Sequence, residues 1–188
     1  MDEEIFCRVR AAYTRIWHGP DAGEVDFGAR PVHDALYAAM LESDEWQDIL
    51  AAGRLCVVDL GAGRGSRLVR QLATRPGVTV VAVDCCLSFG APNLAFPAGR
   101  LVADVRRPPL RDDCADVVVS AYVTVNNALF DTVDARRGYV REIVRLLRPG
   151  GLFWGEEPGL LPDEVTSQPG VTDYTGVDWA HVHCFRRA

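Results

Sequence analysis

The stretch that decides the fold is VVDLGAGRGS, residues 57–66. Its two valines belong to an apolar run, and an acidic residue, Asp59, follows them directly. Glycines then stand at every second position, at Gly61, Gly63 and Gly65. Glycine lets a backbone turn sharply and approach a ligand without a Cβ clash. The stretch therefore predicts a buried strand that ends in a ligand-binding turn.

From this strand onward, short apolar runs alternate with helix-like stretches. Strands that alternate with helices predict a parallel sheet with helices on both faces. The valine-rich runs agree with this, because strands of a parallel sheet are buried on both sides. An amphipathic helix is predicted over residues 137–151, where it stops at Pro149-Gly150-Gly151. The predicted strands are residues 55–60, 76–84, 99–104, 114–122 and 152–157.

The end of the chain differs from this alternating pattern. Two further strands are predicted at residues 170–178 and 179–188, and only the short link 159–169 precedes them. A helical crossover between parallel strands needs about a dozen residues or more. The last helix is therefore expected to be vestigial, and the final two strands should form an antiparallel hairpin.

The beginning of the chain lies outside the sheet pattern. Residues 2–17 and 30–43 have helical periodicity and are expected to form a small cap over the carboxyl edge of the sheet, the edge where the parallel strands end. We expect a single domain over residues 1–188, in which residues 1–52 form the cap segment and residues 53–188 the ligand-binding core.

The spacing of the glycines restricts the ligand. In an open α/β sheet, ligands bind beyond the carboxyl ends of the strands. A dinucleotide loop, G-x-G-x-x-G, would need glycine at position 66, where Ser66 stands, and no Gly-Lys pair follows as in a phosphate loop. The carboxylate of Asp59, two residues before the first glycine, would repel a pyrophosphate but suits an ammonium group.

Two more acidic residues end the next predicted strands. Asp84 is placed to accept hydrogen bonds from both hydroxyls of a ribose. Asp104 is placed to meet the amino group of an adenine, with the backbone N–H of Val105 donating to a ring nitrogen. A ligand with an ammonium, a ribose and an adenine but no phosphate matches S-adenosylmethionine.

Four segments of the chain, in the expected order, resemble the class I S-adenosylmethionine-dependent methyltransferases. VVDLGAGRGS resembles their first motif, and VVAVD resembles their second acidic position. VADVRRPPLRDDCADVVVSAYV is similar to their adenine loop and fourth strand, and EIVRLLRPGGLFW to the helix and strand that follow. The resemblance covers about residues 55–157. It implies a Rossmann-like, doubly wound α/β fold, with a mostly parallel sheet, a C-terminal antiparallel hairpin and the N-terminal helical cap.

The resemblance also implies methyl transfer from a bound sulfonium cofactor. Tyr122 is a candidate to stack near the methionine part of that cofactor, and Tyr13 and Trp17 to close over the sulfonium. The predicted cofactor-binding residues are Asp59, Gly61, Ala62, Gly63, Gly65, Asp84, Cys85, Asp104, Val105, Ser120 and Tyr122.

The general base is less well specified by the sequence. Glu156 and Glu157 end the fifth strand beside the expected cofactor site, and Glu156 is the preferred candidate. His33, which shares a helix face with Tyr37, is the second candidate. His181 and His183, which alternate along the last predicted strand, are further candidates. The Cys and His residues have no metal-ligand spacing.

Composition limits the partners. The net charge is −6 and the arginines form no basic stripe, so nucleic acid is not an expected partner. No apolar run approaches the length of a membrane span, and the acidic start does not resemble a secretory signal. The six cysteines form no CxxC pair. We expect a cytoplasmic protein that acts on a small molecule. Secondary metabolism is one role that this expectation allows, and a homodimer is one oligomeric state.

Two other functions remain open at this point. One is an enzyme of the same fold that uses the cofactor structurally while it catalyses a non-methylating reaction such as cyclisation. The other is a non-catalytic cofactor-binding subunit. A fold does not by itself decide among these. The acceptor atom also stays open.

Overall fold

The computed structural model describes residues 44–51, 53–62, 71–85, 99–125, 127–177 and 182–188, together with Cys7, Ala11 and Glu42. These residues form a seven-stranded sheet, four helices and a further helical stretch at residues 71–73. The strands are β1 (Leu55–Leu60), β2 (Val78–Asp84), β3 (Gly99–Val102), β4 (Ala115–Ala121), β5 (Leu147–Glu156), β6 (Val171–Val177) and β7 (Val182–Arg187). The helices are α1 (Asp44–Ala51), α2 (Asn127–Phe130), α3 (Val133–Leu146) and α4 (Pro162–Thr166).

The strand order is β3-β2-β1-β4-β5-β7-β6. Strands β1 to β5 are parallel to one another, whereas β7 runs antiparallel to both β5 and β6. The predicted mostly parallel α/β sheet with a C-terminal hairpin is confirmed. The order reverses between β1 and β4, and the carboxyl ends of these two strands are where such a sheet binds ligands.

Each face of the sheet has its own core, because alternate residues of a strand point to opposite faces. One face, the α3 face, buries Val58, Val118 and Phe153 against the apolar side of α3. The other face, the α1 face, buries Val57 and Trp154 with Trp46 of α1 and Leu72. Helices therefore cover both sides of the sheet, as the valine-rich strands predicted.

Helix α3 begins and ends earlier than its sequence predicts. Thr132 caps its amino end by accepting a hydrogen bond from the Ala135 N–H at 3.1 Å. The helix ends at Leu146, and the prediction that it continues to Pro149 was wrong. Leu147 is already extended and pairs with Ala115 of β4, so Pro149 and the glycines after it lie in a bulge of β5.

The end of the chain follows the expected pattern. Helix α4 has only five residues, which confirms the vestigial last helix. Strand β6 lies at one edge of the described sheet, and its pairing with β7 shifts register between Thr172 and Thr175. Within that bulge, Asp173 has a positive φ of 50°.

The predicted N-terminal cap lies outside the described residues, except for Cys7, Ala11 and Glu42. Helix α1, which the sequence analysis missed, falls inside the cap segment but packs through Trp46 on the sheet face rather than over the carboxyl edge. In the part of the chain that the structure describes, no helix is long and apolar enough to cross a membrane.

Candidate functional site

Two buried carboxylates lie side by side at the carboxyl ends of β1 and β2. Asp59 pairs with Ala82, two residues before Asp84, so both acids point to the α1 face. Asp59 is 4% exposed, and its Oδ2 has no hydrogen-bond partner among the described residues. Burial and then the charge of Asp84 raise the pKa of Asp59 to about 7. A cation placed here would be attracted by both acids.

The turn after β1 brings bare backbone close to these acids. Gly61 has a positive φ of 72°, and its N–H donates to the Val83 carbonyl at 2.8 Å. The N–H of Ala62 donates to the same carbonyl at 3.1 Å. A Cβ on Gly61 would overlap the Val123 side chain. Gly63 and Gly65 lie outside the described residues.

The predicted adenine-binding residues follow β3. This strand ends at Val102, so Asp104 lies two residues beyond it. The Asp104 carboxylate already accepts a hydrogen bond from the Arg106 backbone N–H at 2.9 Å, and it forms an ion pair with the Arg106 guanidinium at 2.8 Å. Val105 is buried in the α3-face core. Cys85, directly after β2, is half-buried. The assignment of these residues to cofactor binding stays a prediction.

Tyr122 contacts the last residue of β5 through both its backbone and its side chain. Its backbone has a positive φ of 59°, which is uncommon for a bulky residue and is typical of functional sites. Its N–H donates to the Glu156 carbonyl at 2.8 Å, and its hydroxyl donates to Glu156 Oε1 at 2.5 Å. Glu156 itself is buried, and it lies on the α1 face with Trp154 and Asp59. The structure therefore brings Tyr122, Glu156 and Asp59 to one edge and one face.

Glu157, the next residue, has a different environment. It is fully buried on the α3 face, where burial raises its pKa and hydrogen bonds from Ser120 and Thr124 oppose that effect. The Thr124 N–H and hydroxyl donate to its Oε2 at 2.8 and 2.7 Å, and the Val123 N–H donates to its Oε1 at 3.3 Å. With its acceptor sites so occupied, Glu157 is not placed to take a proton from a ligand.

Ser120 belongs to the same buried group. Its hydroxyl donates to Glu157 and lies 2.6 Å from the hydroxyl of Tyr139 in α3. Burial and the nearby Glu157 raise the pKa of Tyr139 well above its usual range. The Ser120 side chain therefore points to the α3 face, whereas Asp59 points to the other. Sequence reasoning missed Val123, Thr124 and Tyr139, since their contacts join distant parts of the chain.

The remaining candidates are placed as follows. His183 is buried and pairs with Gly155, and its Nδ1 lies 3.0 Å from the Tyr174 hydroxyl. In the ranges that the structure describes, no three side chains converge to hold a metal ion. The candidates that lie outside the described residues are Tyr13, Trp17, His33, Tyr37 and His181.

Comparisons with known proteins agree with this fold. The 1,6-didemethyltoxoflavin-N1-methyltransferase of Burkholderia thailandensis has a similar structure, with a TM-score of 0.64 and 19% identity, over 100% of this chain and 91% of that one. The N-methyltransferase NodS of Bradyrhizobium japonicum WM9 has a TM-score of 0.63 and 14% identity, over 95% and 97% of the two chains. The [4+2]-cyclase SpnF has a TM-score of 0.58 and 16% identity, over 83% and 65%.

A comparison of the sequence with curated proteins finds no match. A family model described as a methyltransferase domain, however, matches residues 58–155, which is just over half of the chain. The matched segment runs from within β1 to the residue before the end of β5 and includes both Asp59 and Asp84. The chain therefore belongs to the methyltransferase family, which confirms the resemblance of its motifs to the class I S-adenosylmethionine-dependent enzymes.

Proposed function

We propose that the protein is an S-adenosylmethionine-dependent methyltransferase that acts on a small molecule. The observation that carries this proposal is the buried Asp59, whose Oδ2 has no hydrogen-bond partner among the described residues. Asp84 is a second acid beside it, so the two charges favour a cation. The turn at Gly61 follows, where the packing leaves no space for a larger residue. The aminoacyl ammonium of S-adenosylmethionine fits that description.

Different residues at the carboxyl edge are assigned to different parts of the cofactor. Asp59 holds the ammonium, and Asp84 accepts hydrogen bonds from the ribose hydroxyls. The left-handed turn at Gly61, two residues after Asp59, is assigned to the methionine part. Asp104 and Val105, after β3, are assigned to the adenine. When bound, the cofactor supplies an electrophilic methyl group on its sulfonium.

The acceptor side of the site is assigned to Glu156 and Tyr122. A methyl transfer requires the acceptor to be aligned and water to be excluded. Glu156 is buried, shares a face with Asp59, and has its Oε1 held by the Tyr122 hydroxyl at 2.5 Å. We assign to it the proton that an acceptor N–H or O–H gives up during transfer. His33 remains the second candidate.

A small-molecule acceptor is supported by the acidic character of the site and of the whole chain. The net charge of −6 is unfavourable for a nucleic acid backbone. Two proteins of similar fold are a 1,6-didemethyltoxoflavin-N1-methyltransferase and the N-methyltransferase NodS. Cytoplasmic localisation and a homodimer stay predictions.

A second function is favoured by one specific comparison. The protein SpnF, a [4+2]-cyclase, shares the fold. The chain would then keep the cofactor at the same residues without consuming it. Formation of S-adenosylhomocysteine during turnover separates methyl transfer from this function and from that of a non-catalytic subunit.

The cofactor assignment predicts selective binding. Titration calorimetry should show that the purified protein binds S-adenosylhomocysteine with micromolar or tighter affinity and gives no response to NAD. The reason is the Asp59 carboxylate at the glycine turn, which attracts an ammonium and repels a pyrophosphate. Micromolar NAD binding without any response to the sulfur ligands would contradict the proposed function.

Replacing Asp84 by Ala should weaken S-adenosylhomocysteine binding by ~1.5–3 kcal/mol, the size of a lost charged hydrogen-bond acceptor. The fold should survive, because Asp84 is the last residue of β2 and its pairing is made by the backbone. Calorimetry on the folded variant measures the change. Unchanged affinity would remove Asp84 from the ribose site.

Binding should also depend on pH in one direction. Because the pKa of Asp59 is about 7 in the free protein, the carboxyl is largely protonated below that pH. A bound ammonium favours the charged carboxylate, so binding below pH 7 should release close to one proton, and affinity should rise with pH until about pH 7. Calorimetry in two buffers of different ionisation enthalpy measures the proton. Affinity that falls between pH 5.5 and 7 would contradict this.

A further inference from the structure

The end of β5 carries two adjacent glutamates with opposite surroundings. Glu156 contacts Tyr122 on the α1 face, at the proposed acceptor site. Glu157 lies on the α3 face beside Ser120 and has no place in the proposed chemistry. A fully buried carboxylate is costly unless hydrogen bonds satisfy it. Its position therefore requires an explanation of its own.

All the donors to Glu157 come from the end of β4 and the segment after it, residues 122–125, which we name the β4 loop. Ser120 and the Val123 N–H donate to Oε1, and the N–H and hydroxyl of Thr124 donate to Oε2. Both oxygens of a carboxylate accept, whereas an amide of the same shape has one end that only donates. The set of four donors therefore matches a carboxylate and does not match glutamine.

The β4 loop lies between the two halves of the proposed site. On one side, the Val123 side chain occupies the space that a Cβ on Gly61 would take. On another, the Gly159 N–H donates to the Thr124 hydroxyl at 3.2 Å, and a Cβ on Gly159 would lie 2.5 Å from the Thr124 carbonyl oxygen. A shift of this loop would move its contact with the glycine turn and the Tyr122 pair together.

We propose that Glu157 is a positioning residue: its four hydrogen bonds fix the β4 loop, so that Val123 closes on Gly61 and Tyr122 holds Glu156. The left-handed backbone of Tyr122 is maintained by this anchor, since such a conformation persists only where the surroundings hold it. The inference rests on the proposed function for its statement that these contacts border a ligand.

The matched control is Glu164, a second carboxylate that is buried to the same degree, with 1% exposure. It accepts from the Leu161 N–H at 3.1 Å and from Arg136, so it joins α4 to α3 and has no contact with the β4 loop. Both Glu157→Gln and Glu164→Gln are expected to lower the melting temperature. A purely structural role for Glu157 would make the two variants behave alike in every other measurement.

Two measurements distinguish the variants. In hydrogen exchange, Glu157→Gln should speed exchange at the Val123 and Thr124 amides at least about tenfold and leave the Leu161 amide unchanged, whereas Glu164→Gln should do the reverse. In calorimetry with S-adenosylhomocysteine, Glu157→Gln should lose about tenfold in affinity and Glu164→Gln less than about twofold. Equal exchange patterns and equal affinities in the two variants would overturn the proposal.

Thr124 provides a second test if Glu157→Gln does not fold. Thr124→Val removes the hydroxyl that donates to Glu157, and Thr124→Ser retains it. The valine variant should bind S-adenosylhomocysteine ~3–10 times more weakly than the serine variant, as expected for one lost hydrogen bond to a charged group. Equal affinity of the two variants would overturn the proposal. If the wild-type protein does not bind this ligand, the proposed function fails, and the exchange pattern alone decides whether Glu157 holds the loop.

Discussion

Replacing Asp59 by Asn should make the free protein more stable and the cofactor complex much weaker. At pH 8 the folded state must keep a buried carboxylate charged, although its pKa is about 7 rather than 3.8. At 1.36 kcal/mol per pKa unit, that difference corresponds to a penalty of about 4 kcal/mol. A buried amide without partners costs ~1–3 kcal/mol itself, so the net gain in the free energy of unfolding should be about 2 kcal/mol.

The sign depends on pH. Between about pH 4 and pH 7 the folded state holds a proton on Asp59 that the unfolded chain has released, so this residue makes stability fall as pH rises. Below pH 4 the two states are protonated alike and the contribution vanishes. The Asp59→Asn variant should therefore be more stable than the wild type at pH 8 and less stable at pH 4, where only the ~1–3 kcal/mol cost of the buried amide remains. Denaturant unfolding of both proteins at these two pH values measures it.

Binding should change in the opposite sense. Loss of the charged acceptor for the ammonium should cost ~2–3 kcal/mol, or about 100-fold in the affinity for S-adenosylhomocysteine at pH 8. Asp116, a half-buried acid of β4 that bonds the Cys56 N–H, provides a control, since Asp116→Asn removes a carboxylate away from the carboxyl edge. A variant at Asp59 that binds normally would show that this acid does not hold the cofactor.

Gly61→Val should abolish binding of S-adenosylhomocysteine. Gly61 has a left-handed backbone, and a Cβ there would overlap the Val123 side chain, so the β4 loop must move away from the turn. Together the strained backbone and the overlap should lower the free energy of unfolding by ~2–4 kcal/mol. Circular dichroism at low temperature should still show a folded protein, while calorimetry should show no heat of binding.

Gly53 supplies the control for backbone strain. It has a positive φ of 81°, but a Cβ there would meet nothing within 4 Å. It precedes β1, at the end of the strand opposite to the glycine turn. Gly53→Val should therefore lose stability and keep its affinity. If both variants bind the ligand normally once folded, the glycine at position 61 serves only to shape the turn.

The strands were predictable because burial on both faces gives each a continuous valine-rich run. The hairpin followed from the length of the link before β6, which is too short for a full helix. Helix α1 was missed although Trp46, Ile49 and Leu50 have helical spacing and bury one side. The proline and glycines at residues 149–151 predict a later end for α3, but the pairing of Leu147 with Ala115 ends the helix sooner. Pairing across the sheet outweighed the local signal.

The carboxylates at the strand ends were predictable because a strand end fixes both position and direction. The different environments of Glu156 and Glu157 were not. Alternation along β5 sends them to opposite faces. The donors to Glu157, however, come from Ser120 and the β4 loop, and Ser120 in turn contacts the Tyr139 hydroxyl. These contacts depend on tertiary packing, and no local pattern in the sequence predicts them.

The bulge in β6 affects how the protein behaves at high concentration. An outermost strand presents unpaired N–H and C=O groups, and a straight one can recruit another chain into an intermolecular sheet. Here the register shift between Thr172 and Thr175, with Asp173 in a left-handed conformation, breaks the regular spacing of those groups. At the opposite end of the sheet, β3 has only four residues. Both edge strands of the described sheet, β6 and β3, are thus poor templates for pairing with a strand of another molecule.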